Sequence, residues 1–212
     1  MKYVKNLPGT DEGLSQALRD KSWTMIKEPR RVTSLMMAAL PFALLNAWIY
    51  LFLLANLNPE GGLHLRTETF SFSISINFIE IILGLAACYM FMVLHEFIHA
   101  LLIPNAFQSD KTVWGLNAMY GFVSTREAMK KGRFLLISIL PFVCLSLILP
   151  VILHLTGHLS GFMIFLCLIN ALGSCVDVMN IVLVAFQVPR GRWVITNGFE
   201  TYYSPSRSMK ST

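Results

Sequence analysis

Charge is what this chain has least of. Only 14% of its 212 residues are charged, while 55% are hydrophobic, and the mean hydropathy is +0.59. An ordinary soluble domain, with about a quarter of its residues charged, is thereby excluded. Cysteine is scarce as well: Cys88, Cys144, Cys167 and Cys175 all fall inside apolar runs, and no two stand at metal-ligand spacing. Such thiols act as small buried hydrophobes, so neither a disulfide framework nor a thiolate site is expected. Internal repeats and low-complexity tracts are missing too, which removes solenoids and disordered interaction tails.

Long apolar runs are what fills the space. Four of them, at about 33–56, 74–103, 134–154 and 161–187, are long enough to cross a hydrocarbon core of roughly 30 Å. The predicted fold is an all-α polytopic membrane protein with four transmembrane helices and a small cytoplasmic β element. Residues 1–32 form an N-terminal segment, 33–187 the membrane core and 188–212 a tail. Arg30 and Arg31 precede the first run, but its length suits a retained anchor better than a cleaved signal.

The cations set the orientation. Seven Lys or Arg precede the first run, five lie between the second and third, and four follow the last; Arg66 alone lies in an opposite loop. By the positive-inside rule the termini are cytoplasmic. The net charge of +5 then fits an anionic inner leaflet and calls for no nucleic acid.

Outside the spans, residues 8–30 read as a short helix with Thr10 or Asp11 as N-cap and Pro29 as its stop. Leu14, Leu18, Met25 and Ile26 form an apolar stripe suited to a lipid surface, with a plain solvated leader as the alternative. Trp114, Leu116, Ala118, Tyr120 and Phe122 alternate, which predicts extended chain over 113–124. Asn197-Gly198 between β-prone runs predicts a hairpin over 193–203.

One span carries groups that hydrocarbon should reject. "MVLHEFIHALLIP" places His95, Glu96 and His99 near the inner end of the second run, where an ionisable side chain costs roughly 2.5–3.5 kcal/mol on insertion scales. On a helix, His95 and His99 lie one turn apart on one face and can present two imidazole nitrogens to one ion. Glu96 flanks that face and can reach a water on the ion without ligating it, the arrangement His-Glu-x-x-His.

A catalytic zinc usually takes a third protein ligand. Asp177, in "GSCVDVMN", is the other acid deep in a run, roughly 15 Å from the inner end of the fourth span, against roughly 6–12 Å for the histidines in the second. Glu127 and Glu200 are the alternatives. Asn170 and Ser174, on about the same face as Asp177, are candidates for hydrogen bonds behind the ligands, for steadying an oxyanion, or for simple packing between helices. Glu80, His64, His154 and His158 fall toward the other side.

With "HEFIHALLIP", "RFLLISILPFV", "GSCVDVMN" and "VPRGRWVITNGFETYY" in view, the chain resembles the site-2 protease class of intramembrane zinc metallopeptidases. It resembles still more closely a bacterial membrane family described as zincin peptidases. The resemblance spans roughly residues 70–203. It implies one Zn2+ on His95, His99 and Asp177, with Glu96 as general base and a membrane-embedded protein as substrate. The chain departs from the site-2 pattern around Asp177, where neither the prolines nor the following glycine of an Asn-x-x-Pro-x-x-Pro-Leu-Asp-Gly segment is present. The rival reading is a non-catalytic protein that binds or transports zinc. The 113–124 stretch is open to two uses, an added substrate strand or a packing loop. The hairpin could complete that sheet or meet a regulator.

Overall fold

The computed structural model describes residues 1–57, 78–116 and 120–207. His64, Arg66 and the start of the second apolar run lie outside the described residues, as do positions 117–119 of the alternating stretch.

The described chain is mostly helical, and four helical spans in it are long and apolar enough to cross a membrane: Val32–Leu57, Phe78–Leu102, Lys131–Leu155 and Gly161–Gln187. In hydrocarbon each backbone N–H and C=O must be satisfied within the segment, and an apolar sequence therefore resolves into helix. The first span is one helix, α2 (Val32–Leu57), and the second is α3 (Phe78–Leu102). The third starts as α4 (Lys131–Pro141), widens into a π-helical stretch (Phe142–Ile148) and ends as α5 (Leu149–Leu155). The fourth consists of α6 (Gly161–Gly173) and α7 (Cys175–Gln187), hinged at Ser174, whose ψ of 8° departs from helix.

Helix α4 packs against both α3 and α7, and α2 lies along α6 and α7. Polar side chains fix the second of these contacts. Asn46 Nδ2 donates to the Ala171 carbonyl at 3.0 Å, and Tyr50 Oη donates to that of Ile164 at 2.9 Å. The apolar packing around them joins Tyr50, Phe142, Cys167 and Ala171.

The expected β element is two small sheets. In one, β1 (Lys2–Tyr3) runs parallel to β3 (Thr112–Leu116), which pairs antiparallel with β4 (Gly121–Thr125) from Thr112↔Thr125 to Leu116↔Gly121. The extended reading of 113–124 therefore resolves into two strands. In the other sheet the order is β2 (Thr24–Met25), β7 (Glu200–Tyr203), β6 (Trp193–Asn197) and β5 (Met129–Lys130). The β6–β7 turn is Gly198-Phe199, one residue later than the Asn-Gly signal placed it. Asn197 stays in its strand because its side chain is buried and bonded to Asp11 and Ser15. Gly198 takes φ of +61°, and a Cβ there would lie 2.5 Å from the Thr10 nitrogen, so glycine is required.

The N-terminal helix is shorter than its expected range. Helix α1 spans Glu12–Asp20, capped by Asp11, whose Oδ1 accepts the Leu14 N–H at 3.1 Å. It stops well before Pro29. Trp23 N–H bonds to the Leu18 carbonyl and Ser22 N–H to that of Arg19, with Ser22 at φ of 60°, a Schellman ending with serine in the place usually held by glycine. The apolar stripe meets protein: Leu14 and Leu18 pack with Trp23 and Met25 on Ile195 and Tyr202, and Ile26 joins Val184, Val188 and Val194.

Candidate metal centre

Helices α3 and α7 bring together the three residues singled out as ligands. Asp177 divides its carboxylate between the histidines, with Oδ2 3.3 Å from His95 Nε2 and Oδ1 3.4 Å from His99 Nε2. The one-turn spacing on α3 stacks the two imidazoles edge to face, 4.9 Å between centroids. Ser174 sets the break from which α7 starts, so Asp177 falls in the first turn of that helix. The donor atoms of His95, His99 and Asp177 all lie within 4.8 Å of one another. Donors at about 2.0–2.1 Å from a tetrahedral zinc stand about 3.3–3.4 Å apart, which is the spacing between the carboxylate and each imidazole. Two imidazoles and a carboxylate thus fit this metal in chemistry, and the three residues are gathered closely enough that they could hold one ion.

The tautomers follow from the opposite ring nitrogens. His99 Nδ1 lies 2.9 Å from the Ile137 carbonyl, which can only accept, so Nδ1 carries a proton and, in the neutral ring, Nε2 is the nitrogen left to ligate. His95 Nδ1 lies 2.9 Å from Asn170 Oδ1. The amide is oriented by its other end, where Nδ2 donates to Ser146 Oγ at 2.8 Å and to the Pro141 carbonyl at 3.3 Å. Ser146 in turn donates to the Cys167 carbonyl at 2.9 Å, which leaves its oxygen free to accept. His95 is therefore also protonated at Nδ1, and the Nε2 atoms of both rings, the ones left to ligate in the neutral form, face Asp177.

Of the two polar candidates beside Asp177, Asn170 touches a histidine and Ser174 does not. Ser174 Oγ bonds the Asn170 carbonyl of the preceding turn at 2.8 Å. Ser146 is a contributor that the sequence reading passed over. Its signal was a hydroxyl inside an apolar run, where a polar group needs a partner. Glu127 bonds Ser109 and faces Lys111, and Glu200 accepts from Ser15 and Tyr202, so both runner-up ligands are engaged away from the cluster.

Glu96 stands beside the donors without joining them. Its carboxylate lies close enough to the backbone N–H of Val123 on β4 to feel that dipole. With His95 it lines a cleft of about 510 Å³ between α3, α6 and the start of β4, whose walls include Leu85, Tyr89, Met92, Leu166 and Ile169. The cleft is thus apolar except where it meets the metal-ligand face.

A helix-borne His-Glu-x-x-His pair completed by an acid from a distant helix defines the zincin class of site. The chain belongs to the family described as "Putative zincin peptidase", whose model matches residues 88–193 and so takes in all three donors and Glu96. No curated protein and no solved structure matches the chain.

Proposed function

We propose that the protein is an intramembrane zinc metallopeptidase that hydrolyses peptide bonds of a membrane-embedded protein substrate near the cytoplasmic face. The observation that carries this reading is the position of Glu96. It lies outside the donor set, next to His95, on the wall of an apolar cleft.

His95, His99 and Asp177 would hold one zinc per chain. When bound, the ion would supply a Lewis acid that brings the pKa of water toward about 7 and polarises the scissile carbonyl. Glu96 takes the proton from the attacking water and returns it to the leaving amine. The Val123 N–H faces that carboxylate and favours its ionised form. A substrate helix has its carbonyls in internal hydrogen bonds and must unwind to be cut. The cleft receives the unwound segment, with apolar side chains against Leu166 and Ile169 and the backbone passing Gly121 on β4. The cation distribution supports a site near the inner leaflet, with both termini cytoplasmic.

The test is metal content and cleavage of a model transmembrane peptide, measured on the full chain in detergent. Wild type and Glu96→Gln should hold about one zinc per chain, with His95→Ala and Asp177→Ala losing it, and only wild type should cleave. A wild type that takes up no zinc after supplementation would sink the proposal. Zinc binding without cleavage of any membrane peptide would favour the zinc-binding or transport reading.

A further inference from the structure

The third span offers two backbone carbonyls to the metal centre, four residues apart. That of Ile137 meets His99 Nδ1 at 2.9 Å, and that of Pro141 meets Asn170 Nδ2 at 3.3 Å. Carbonyls within a helix normally accept the N–H four residues on, so the partner of Ile137 should be residue 141. Residue 141 is a proline inside the helix. It has no N–H to give, and its ring crowds the carbonyl one turn back. Ile137 is left with an acceptor that its own helix does not claim, turned toward α3, and the donor that takes it is His99.

We propose that Pro141 is a positioning residue of the metal centre. By leaving the Ile137 carbonyl to His99 it favours the Nδ1–H form of that imidazole, with Nε2 left as the atom that would ligate the ion. The same residue acts on the other histidine. The π-helical turns begin directly after Pro141, with Leu149 N–H reaching back five residues to the Cys144 carbonyl. The Pro141 carbonyl is met by Asn170 Nδ2 at 3.3 Å and, together with Ser146 Oγ at 2.8 Å, turns the Asn170 oxygen to His95. One proline in α4 thus helps orient both imidazoles from behind. If the residue only bent the helix, the ring protonation pattern would be indifferent to it. The purpose assigned to the tautomer rests on the zinc reading above; the hydrogen bonding does not.

The full chain, labelled with 15N-histidine and purified in detergent, gives the test. Two-bond nitrogen–proton correlations report which ring nitrogen of each of the five histidines carries the proton, and His99→Gln assigns the His99 signals. Wild type should show His99 protonated at Nδ1. Pro141→Ala restores an N–H that competes for the Ile137 carbonyl. In it His99 should become a tautomer mixture, with zinc affinity lowered about tenfold and no loss of melting temperature. Replacing Pro141 by an α-hydroxy acid, which also lacks the N–H but has no ring, should restore both the tautomer and the affinity. An unchanged His99 pattern and unchanged affinity in Pro141→Ala would overturn the proposal, as would a wild-type His99 protonated at Nε2. A wild type that binds no zinc would count against the peptidase reading, while the ring-nitrogen pattern would still decide this one.

Discussion

Gly121 and Glu96 approach so closely that a Cβ on the glycine would lie 2.8 Å from the glutamate Cγ. The same atom would also stand 2.9 Å from Leu116 Cδ2, so the glutamate could not be relieved by a simple shift of the strand toward β3. Glycine is therefore what lets β4 lie against the motif helix, beside the Glu96 side chain. Gly121→Ala should displace Glu96 while leaving His95, His99 and Asp177 in place. A displacement of about 1 Å at a reacting group costs up to about 100-fold in rate. Turnover of a membrane peptide should fall by about 10- to 100-fold at unchanged zinc content. Loss of zinc together with turnover would show instead that the whole centre had moved.

Asn170 should matter more for the metal than Ser174, although Ser174 is the nearer to Asp177 in sequence. Only Asn170 bonds a histidine. Partners behind a metal-binding imidazole are worth about 10- to 100-fold in affinity, and Asn170→Ala should lose zinc affinity in that range when measured by chelator competition. Ser146→Ala, which acts only through the amide of Asn170, should show a smaller loss. Ser174→Ala should leave the affinity as it is.

The pieces that were legible in the sequence are those that hydrocarbon makes conspicuous. His95, Glu96, His99 and Asp177 stand out because each is an ionisable group in an apolar run, and helical periodicity alone places the two histidines on one face. What supports them was less visible. The acceptor of His99 is a backbone carbonyl, and every residue has one, so Ile137 carries no mark. The break at Ser174 and the π-helical turns after Pro141 were not marked, because a serine is unremarkable in an apolar run and a proline does not always end a helix, as Pro41 inside α2 shows. Ahead of the first span, Ser22 ends α1 in a left-handed conformation that sequence reasoning assigns to glycine, and the expected range overran accordingly. The pairing of β2 with β7 joins segments at opposite ends of the chain, and two residues are too few for a periodic signal.

Asn197 is the pin between these ends. Its Oδ1 accepts the Asp11 N–H at 3.1 Å, and its Nδ2 donates to the Asp11 carbonyl at 2.7 Å and to Ser15 Oγ at 2.9 Å. The side chain is fully buried, and alanine would remove three hydrogen bonds and strand their partners. Asn197→Ala should weaken the docking of α1 on the hairpin by about 2–3 kcal/mol, taking about 1 kcal/mol for each bond. Hydrogen exchange of the β6 and β7 amides should accelerate to match, while amides of the spans keep their protection.

Glu28 gives the same region a dependence on pH. It sits just before the first span and accepts both the backbone N–H and the hydroxyl of Thr201 on β7. Burial pushes its carboxyl up from an ordinary 4.5 to about 7. The Thr201 bonds and Arg30 oppose that rise, and Glu200 adds to it. The folded form thus holds the proton more tightly than the unfolded form does. Its contribution to stability is complete below about 4.5, declines as pH rises from 4.5 to about 7, and changes no further above that. Glu28→Gln keeps the shape and the acceptor oxygen but cannot ionise. Thermal melts of the detergent-solubilised chain should therefore show wild type losing melting temperature relative to Glu28→Gln across that interval, with the gap constant at higher pH. A gap that stayed flat from pH 4.5 to 8 would mean that Glu28 is ionised in the folded protein throughout, with the Thr201 bonds and Arg30 outweighing its burial.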